Sequence, residues 1–404
     1  MDWTYYLRVL QPSVRGDLFA PVEKALSECF IPALFRDANV LRDNPNLRQI
    51  LALSVKAGGL GIRNPLDYGE HCYETSIETT NPLVDVLCAP SASDSEFDVA
   101  KFRKDRSAMC RELTKLRLKS ETDQFKRLVH NCPLEIKRPL MRAPDTGLWL
   151  TASPFKSLDA TEFLDALCLR YVLPPRHMPM SCDGCGKEFD VEHAKSCKIG
   201  GMHIYRHNYM KYSWMRSACL GFPSSTVKDE PFIHTSLPDA DADPTAAARP
   251  ETRGDVSIDN FWETGTTTIF DVRVLDLDCK THKDRPPDKV LDSAETAKKN
   301  KHLGDCLEAR RHFTPLVFSV DGLMGKETQK ACVRLAQVIS EKTGRANSHV
   351  CGFIRSRLSI SIMRTLSAGL RRARRRIVTV ADREASGCAL TGLISYDARL
   401  MGLT

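Results

Sequence analysis

The run Arg253-Gly254-Asp255-Val256-Ser257-Ile258, followed by Gly265 and then Thr267-Thr268-Ile269-Phe270-Asp271-Val272-Arg273-Val274, decides how this chain is read. Val256 and Ile258 predict a short strand, Gly265 a turn, and residues 267–274 a second strand. A period of two puts Ile269, Asp271 and Arg273 on one face, while Phe270, Val272 and Val274 face the core. One carboxylate, Asp255, therefore heads an apolar segment and another, Asp271, sits inside the next, with the lysines Lys298, Lys299 and Lys301 beyond. Two close carboxylates suit a divalent cation that prefers oxygen, and an ammonium beside them orients a water or neutralises a phosphate. This is the layout of a metal-dependent nuclease. The competing reading is plain surface: an aspartate at a strand start, another on an exposed strand face and a lysine run are ordinarily solvated.

The 404 residues exceed one typical domain, and their composition is that of a globular protein, so two or three compact units are expected. A net charge of +7 is modest, but Lys and Arg fall in separate blocks, which favours an acidic polymer as partner over a membrane surface. No apolar run approaches membrane-spanning length and the first ten residues do not read as a signal peptide, so a soluble, intracellular chain is expected. The 15 cysteines are spread thinly and only one group is tightly spaced; the others are expected to be reduced thiols in cores.

In the first segment, Val22, Leu26, Phe30, Ile31 and Leu34 recur at helical spacing, and the string from Leu51 to Pro65 carries glycines at 58, 59 and 61 that predict a tight loop. A phosphate-binding loop is the weaker alternative, because the Lys-Ser/Thr of a P-loop is missing. Residues 90–96 read as a linker and residues 99–129 as a charged helix. The basic residues Lys101, Arg103, Lys104, Arg106, Arg111, Lys115, Arg117 and Lys119 suit a phosphate backbone or, more simply, a solvated face. A further helix carrying Phe163, Leu164, Leu167 and Leu169 leads to Pro174-Pro175.

Cys182, Cys185, His193 and Cys197 place four zinc-type ligands within sixteen positions. Two residues between the first cysteines let both sulfurs face one ion, and Gly184 and Gly186 let the backbone turn around it. Thiolate and imidazole donors favour tetrahedral Zn²⁺ over Mg²⁺, and four protein ligands close the site, making it structural. Arg206, His207 and a helix with Tyr209, Tyr212 and Trp214 follow. Basic and aromatic side chains beside such a knuckle suit nucleic-acid contact, although Trp214 is equally an ordinary core residue.

The cysteine-histidine run, with Gly200-Gly201 and Arg206-His207-Asn208, resembles the zinc knuckle that precedes the endonuclease of site-specific non-LTR (LINE-type) retrotransposons. The blocks downstream resemble the same family in order. Arg253-Gly-Asp255 corresponds to its basic-(Pro)-Asp element, Asp271-Val-Arg-Val274 to its second acidic strand, Lys298-Lys-Asn-Lys301-His302 to its lysine-containing block, and Phe313 to Gly322 to its next core strand and turn. Upstream, Gly58-Gly59-Leu60-Gly61-Ile62 with Pro65 is similar to a signature beside the reverse transcriptase thumb. The polymerase's Tyr/Phe-x-Asp-Asp motif is missing. Gly254 stands where the family has proline, which is expected to loosen the turn, and His302 stands where it commonly has tyrosine.

The resemblance implies an α/β fold: a restriction-endonuclease-like mixed sheet with flanking helices, preceded by a zinc knuckle and an all-α region. The expected divisions are 1–66 (thumb-side remnant), 67–145 (helical linker region), 146–225 (knuckle and following helix), 226–350 (endonuclease core) and 351–404 (apolar helix and basic tail). It implies Mg²⁺- or Mn²⁺-dependent nicking of target DNA, with Asp255 and Asp271 as cation ligands and Lys298 and Lys301 as catalytic lysines. The nick would prime reverse transcription of the element's RNA, which places the protein in the nucleus. Arg273 occupies the usual lysine position two residues after the second acid, but a guanidinium cannot serve as a base. The expected nucleic-acid contacts are Arg206, His207, Arg253, Arg273, Arg371, Arg372, Arg374, Arg375 and Arg376; the arginine block also reads as an import signal. Two rivals are a catalytically decayed nucleic-acid-binding module of the same element and a zinc-stabilised interaction protein.

Overall fold

A computed structural model describes residues 4–11, 13, 15–88, 98–151, 158–233 and 252–374, and the chain divides into two compact units, Met1–Leu150 and Thr151–Thr404. The expected linker at 90–96 lies outside the described residues.

Within the first unit the described residues form helices and turns, the longest helices being Pro65–Cys88 and Val99–Val129. Asp98 starts the latter by accepting the Lys101 N–H, as an N-cap aspartate does. The glycine-rich string makes the expected tight loop, with Gly58 at φ 99°. Its N–H groups are consumed internally: those of Gly58, Gly59 and Gly61 donate to the carbonyls of Val55, Ser54 and Leu53 at 3.1, 2.9 and 2.7 Å. A phosphate cradle needs such donors pointing outward, so the P-loop alternative fails. Buried Glu121 ties the loop to the long helix, accepting the Ser54 N–H at 2.9 Å and pairing with Arg63 at 2.6 Å.

The second unit is mixed α/β. Its four-stranded open sheet has the order β1 (Val227–Asp229), β2 (Val256–Asp259), β3 (Thr267–Leu275), β4 (His312–Ser319). The first two pairings are antiparallel and β3–β4 is parallel. The helices are α1 (Ala160–Arg170), α2 (Val191–Ser196), α3 (Met202–Gly221), α4 (Pro287–Glu308), α5 (Lys326–Thr343) and α6 (Asn347–Arg371).

Parallel strands need a crossover connection, and here α4 supplies it, covering the face of β3 that alternation assigns to Ile269 and Asp271. Ile269 packs with Ile233, Leu303, Cys306 and Phe313. On the other face, Phe270 lies 5.4 Å from the Trp214 ring of α3 and 4.9 Å from Phe261. Both faces of β3 are thus buried, and Asp271 is only 5% exposed, which removes the solvated-surface reading. Trp214 is fully buried core. The polar loop after β3 stops at Pro286, because Pro287 opens α4 at a helix position where proline is well tolerated. The apolar residues Ile354, Leu358, Ile362, Met363 and Leu366 of α6 are core, and α5 ends at Gly344 with φ 69°.

Candidate active site and metal centre

Val256 pairs with Phe270, so continuing the antiparallel register by one residue sets Asp255 opposite Asp271. Their carboxyl groups are close enough for the charge of one to act on the other. Asp255 also accepts the Val272 N–H at 2.5 Å and meets Nε2 of His207, on α3, at 3.1 Å. From α4, Lys298 Nζ reaches Asp271 Oδ2 at 2.5 Å, and His302, one turn on, holds Nε2 at 3.9 Å from the same oxygen.

Two buried carboxyls this close cannot both ionise easily. Burial and then the Asp255 charge push Asp271 up to about 6, against the pull of Lys298. Burial acts on Asp255 too, but His207 and the Val272 N–H outweigh it and hold that carboxyl below the usual range. The pair consequently shares one proton up to about pH 6. Burial, with the charges of Lys301 and Lys298, lowers His302 and keeps its imidazole neutral.

The turn before Asp255 is tight, not loosened. Gly254 N–H donates to the Pro231 carbonyl at 3.0 Å, a bond proline cannot make, and a Cβ at this position would lie 2.3 Å from Ile269 Cγ2. His302 does not present a polar group to solvent as a tyrosine hydroxyl would; it is 2% exposed and packs 5.5 Å from the Phe313 ring. Lys301 is exposed and makes no ion pair among the described residues, whereas Lys299 is engaged with Glu327 at 3.0 Å. Arg273 is partly exposed on the Asp271 face, and exposed Arg253 lies over the Phe232 ring at 4.0 Å.

The donor atoms of Cys182, Cys185, His193 and Cys197 all lie within 4.8 Å of one another, so the cluster can hold a metal ion. Local structure builds it. Gly186 turns at φ 74°, and the Asp190 side chain caps α2 by accepting the His193 N–H at 2.6 Å. Burial opposes charge on Cys182, but the N–H groups of Cys185 and Gly184 and the His193 ring outweigh it and bring the thiol down to about 6. A thiolate at neutral pH is what a metal requires of sulfur.

Several expected DNA contacts are spent inside the fold. Arg206 is 5% exposed and donates to the Lys195 carbonyl, because its turn of α3 packs inward. Arg371 pairs with buried Asp165 and donates to the Arg176 carbonyl at 2.6 Å. Arg374, 3% exposed, sits 4.4 Å over Phe189 and donates to the Gly369 carbonyl at 2.7 Å, tying the end of α6 to the knuckle. Exposed Arg372 stacks on Tyr205 at 4.3 Å, and Arg375 and Arg376 lie outside the described residues. His207, one-third exposed, has Asp255 as its neighbour.

Sequence reasoning passed over Lys211 and Glu230. Lys211, 1% exposed, pairs with Asp229 at 2.7 Å and Glu230 at 2.9 Å, and the Glu230 N–H donates to the Asp255 carbonyl at 3.0 Å. The available signal was the spacing of His207, Lys211 and Trp214, which puts all three on one stripe of a helix. Compared with known proteins, the chain matches no family model, and no curated protein matches it.

Proposed function

We propose that this chain is the DNA-nicking endonuclease portion of a non-LTR retrotransposon protein, with Asp255, Asp271 and Lys298 at its centre and a structural Zn²⁺ on the cysteine-histidine cluster. The observation that carries the reading is the convergence of two carboxyls, one just before β2 and one within β3, with a lysine ammonium 2.5 Å from the second, in a buried setting. Such a constellation is costly to bury, and cation-assisted phosphoryl chemistry is its best-matched use. The mixed sheet with helices on both faces supports a restriction-endonuclease-like core.

Asp255 and Asp271 would hold Mg²⁺ or Mn²⁺, which supplies Lewis-acid activation of water and of the leaving oxygen. The chain's own residues do the rest. Lys298 keeps a positive charge beside the reacting phosphate and can exchange a proton there, which Arg273 on the strand cannot do. Arg273, Arg253 and Arg372 meet the DNA backbone. As in the family resembled, the nick leaves a 3′ hydroxyl on target DNA in the nucleus from which the element's RNA is copied.

The test is nicking of supercoiled plasmid with Mg²⁺ or Mn²⁺, using omission of the divalent cation as control, since a chelator would also strip the zinc. Asp255→Ala and Asp271→Ala should abolish nicking, and Lys298→Ala should slow it by the ~10²- to 10⁴-fold of a lost acid-base group. If wild-type chain nicks nothing, or Asp271→Ala nicks as fast as wild type, the reading fails and a decayed nucleic-acid-binding module takes its place.

A further inference from the structure

The carboxylate pair has a nitrogen neighbour whose place is built by the fold. His207 Nε2 is 3.1 Å from Asp255 Oδ1, with the side chain one-third exposed at 33%. The stripe of α3 that carries it is fixed twice further along. Lys211 clamps Asp229 and Glu230 at the end of β1, where Asp229 pairs with Val256 next to Asp255, and Trp214 is buried against Phe261 and Phe270. Glu230 in turn donates its N–H to the Asp255 carbonyl. The imidazole and the carboxylate are therefore held by a common framework.

We propose that His207 is a direct ligand of the cation held by Asp255 and Asp271, a nitrogen donor that turns the centre from Mg²⁺ toward Mn²⁺. This rests on the carboxylate pair being a cation site, as proposed above. Two ligands on adjacent corners of an octahedron with bonds of about 2.1 Å lie about 3.0 Å apart. The 3.1 Å between Nε2 and Oδ1 is thus the spacing of neighbouring ligands of one ion as well as that of a hydrogen bond. A cation held by both would lie to one side of the line between Nε2 and Oδ1, so their spacing is kept while the imidazole turns its Nε2 lone pair toward the ion and carries its proton on Nδ1. Donor chemistry then sets the preference. Mg²⁺ is served by oxygen and dehydrates reluctantly, whereas an imidazole nitrogen adds affinity for transition ions.

Mn²⁺ titrated into the full-length, zinc-loaded chain and followed by pulsed electron paramagnetic resonance reads this directly. Nitrogen modulation from a coordinated histidine is expected in wild type and should vanish in His207→Asn. Mn²⁺ affinity should fall at least the roughly 10-fold that even an outer partner is worth to a metal site, while Mg²⁺ affinity falls by less than about threefold. The wild-type spectrum decides the matter even if the variant fails to fold. Mn²⁺ that binds in an Asp271-dependent way without histidine nitrogen coupling overturns the inference and leaves the cation site standing; His207 is then only a hydrogen-bond partner of Asp255. Mn²⁺ binding that is indifferent to both Asp255→Asn and Asp271→Asn overturns the cation site and this inference together.

Discussion

Asp271→Asn is expected to stabilise the cation-free protein while abolishing its chemistry. Asp271 titrates at about 6 in the folded chain against an ordinary 3.8, a gap of about two pH units, and each unit is about 1.4 kcal/mol, so ionising this carboxyl costs the native state about 3 kcal/mol. The sign follows from proton binding. Between the two values the native state holds a proton that the unfolded chain releases, so stability falls as pH rises through about 4 to 6 and is flat above. The Lys298 attraction already counts in that balance. Asparagine keeps the neutral shape at every pH and escapes the loss. Thermal unfolding without added divalent cation, from pH 4 to pH 8, is the assay. At roughly 2–4 °C per kcal/mol for a domain of ~200 residues, the asparagine variant should melt several degrees above wild type at pH 8 and level with it near pH 4. Added Mn²⁺ should raise wild type alone, because only wild type retains the site. A variant that melts below wild type at pH 8, or a gap that does not change with pH, would refute the coupling between the two carboxyls.

Cys185→Ser should release zinc and unfold the knuckle locally, since a structural zinc contributes on the order of 10 kcal/mol to its subdomain; metal analysis reporting one zinc per wild-type chain and less in the variant checks it. Arg374→Gln and Arg372→Gln should part ways despite their proximity. Arg374, buried over Phe189 at the knuckle, should cost thermal stability, whereas exposed Arg372 should leave the melt unchanged and flatten the salt dependence of DNA binding by about one phosphate contact.

Much of this arrangement is legible in the sequence because it is local. The period of two in residues 267–274 put Asp271 and Ile269 on the same face, and knuckle spacing alone brought together the four donors that the fold holds within 4.8 Å. What period cannot reveal is which faces are covered. Whether Asp271 is solvated or buried depends on α4 returning over β3, a property of the parallel β3–β4 pairing that begins some forty residues later. The same limit hides the arginines: Arg206, Arg371 and Arg374 look like a basic surface in the sequence, yet they meet the Lys195 carbonyl, the Asp165 carboxylate and the Ala194 carbonyl. Strand β1 escaped notice because three residues with one apolar side chain carry no period at all.

The source of the lysine links fold to order of binding. On the β3 face, position 273 is an arginine, so the ammonium comes from α4, whose 298 and 302 positions, one turn apart, are turned toward Asp271. The second of these is a neutral imidazole and brings no charge. Above pH 6 the carboxyl pair therefore carries two negative charges with only one ammonium, that of Lys298, in direct contact, and a phosphodiester oxygen approaching the carboxylates themselves is repelled. A divalent cation reverses that sign. DNA should thus seat at the carboxylates only after the cation, and removing one charge should replace part of the cation's effect. Measured at pH 8 with a short duplex, Asp255→Ala should bind more tightly than wild type without divalent cation, and the difference should shrink when Ca²⁺ is added as a cation that supports binding. Equal affinity of the two proteins without cation would mean that DNA does not reach these carboxylates, and the nicking site would have to be sought elsewhere in the unit.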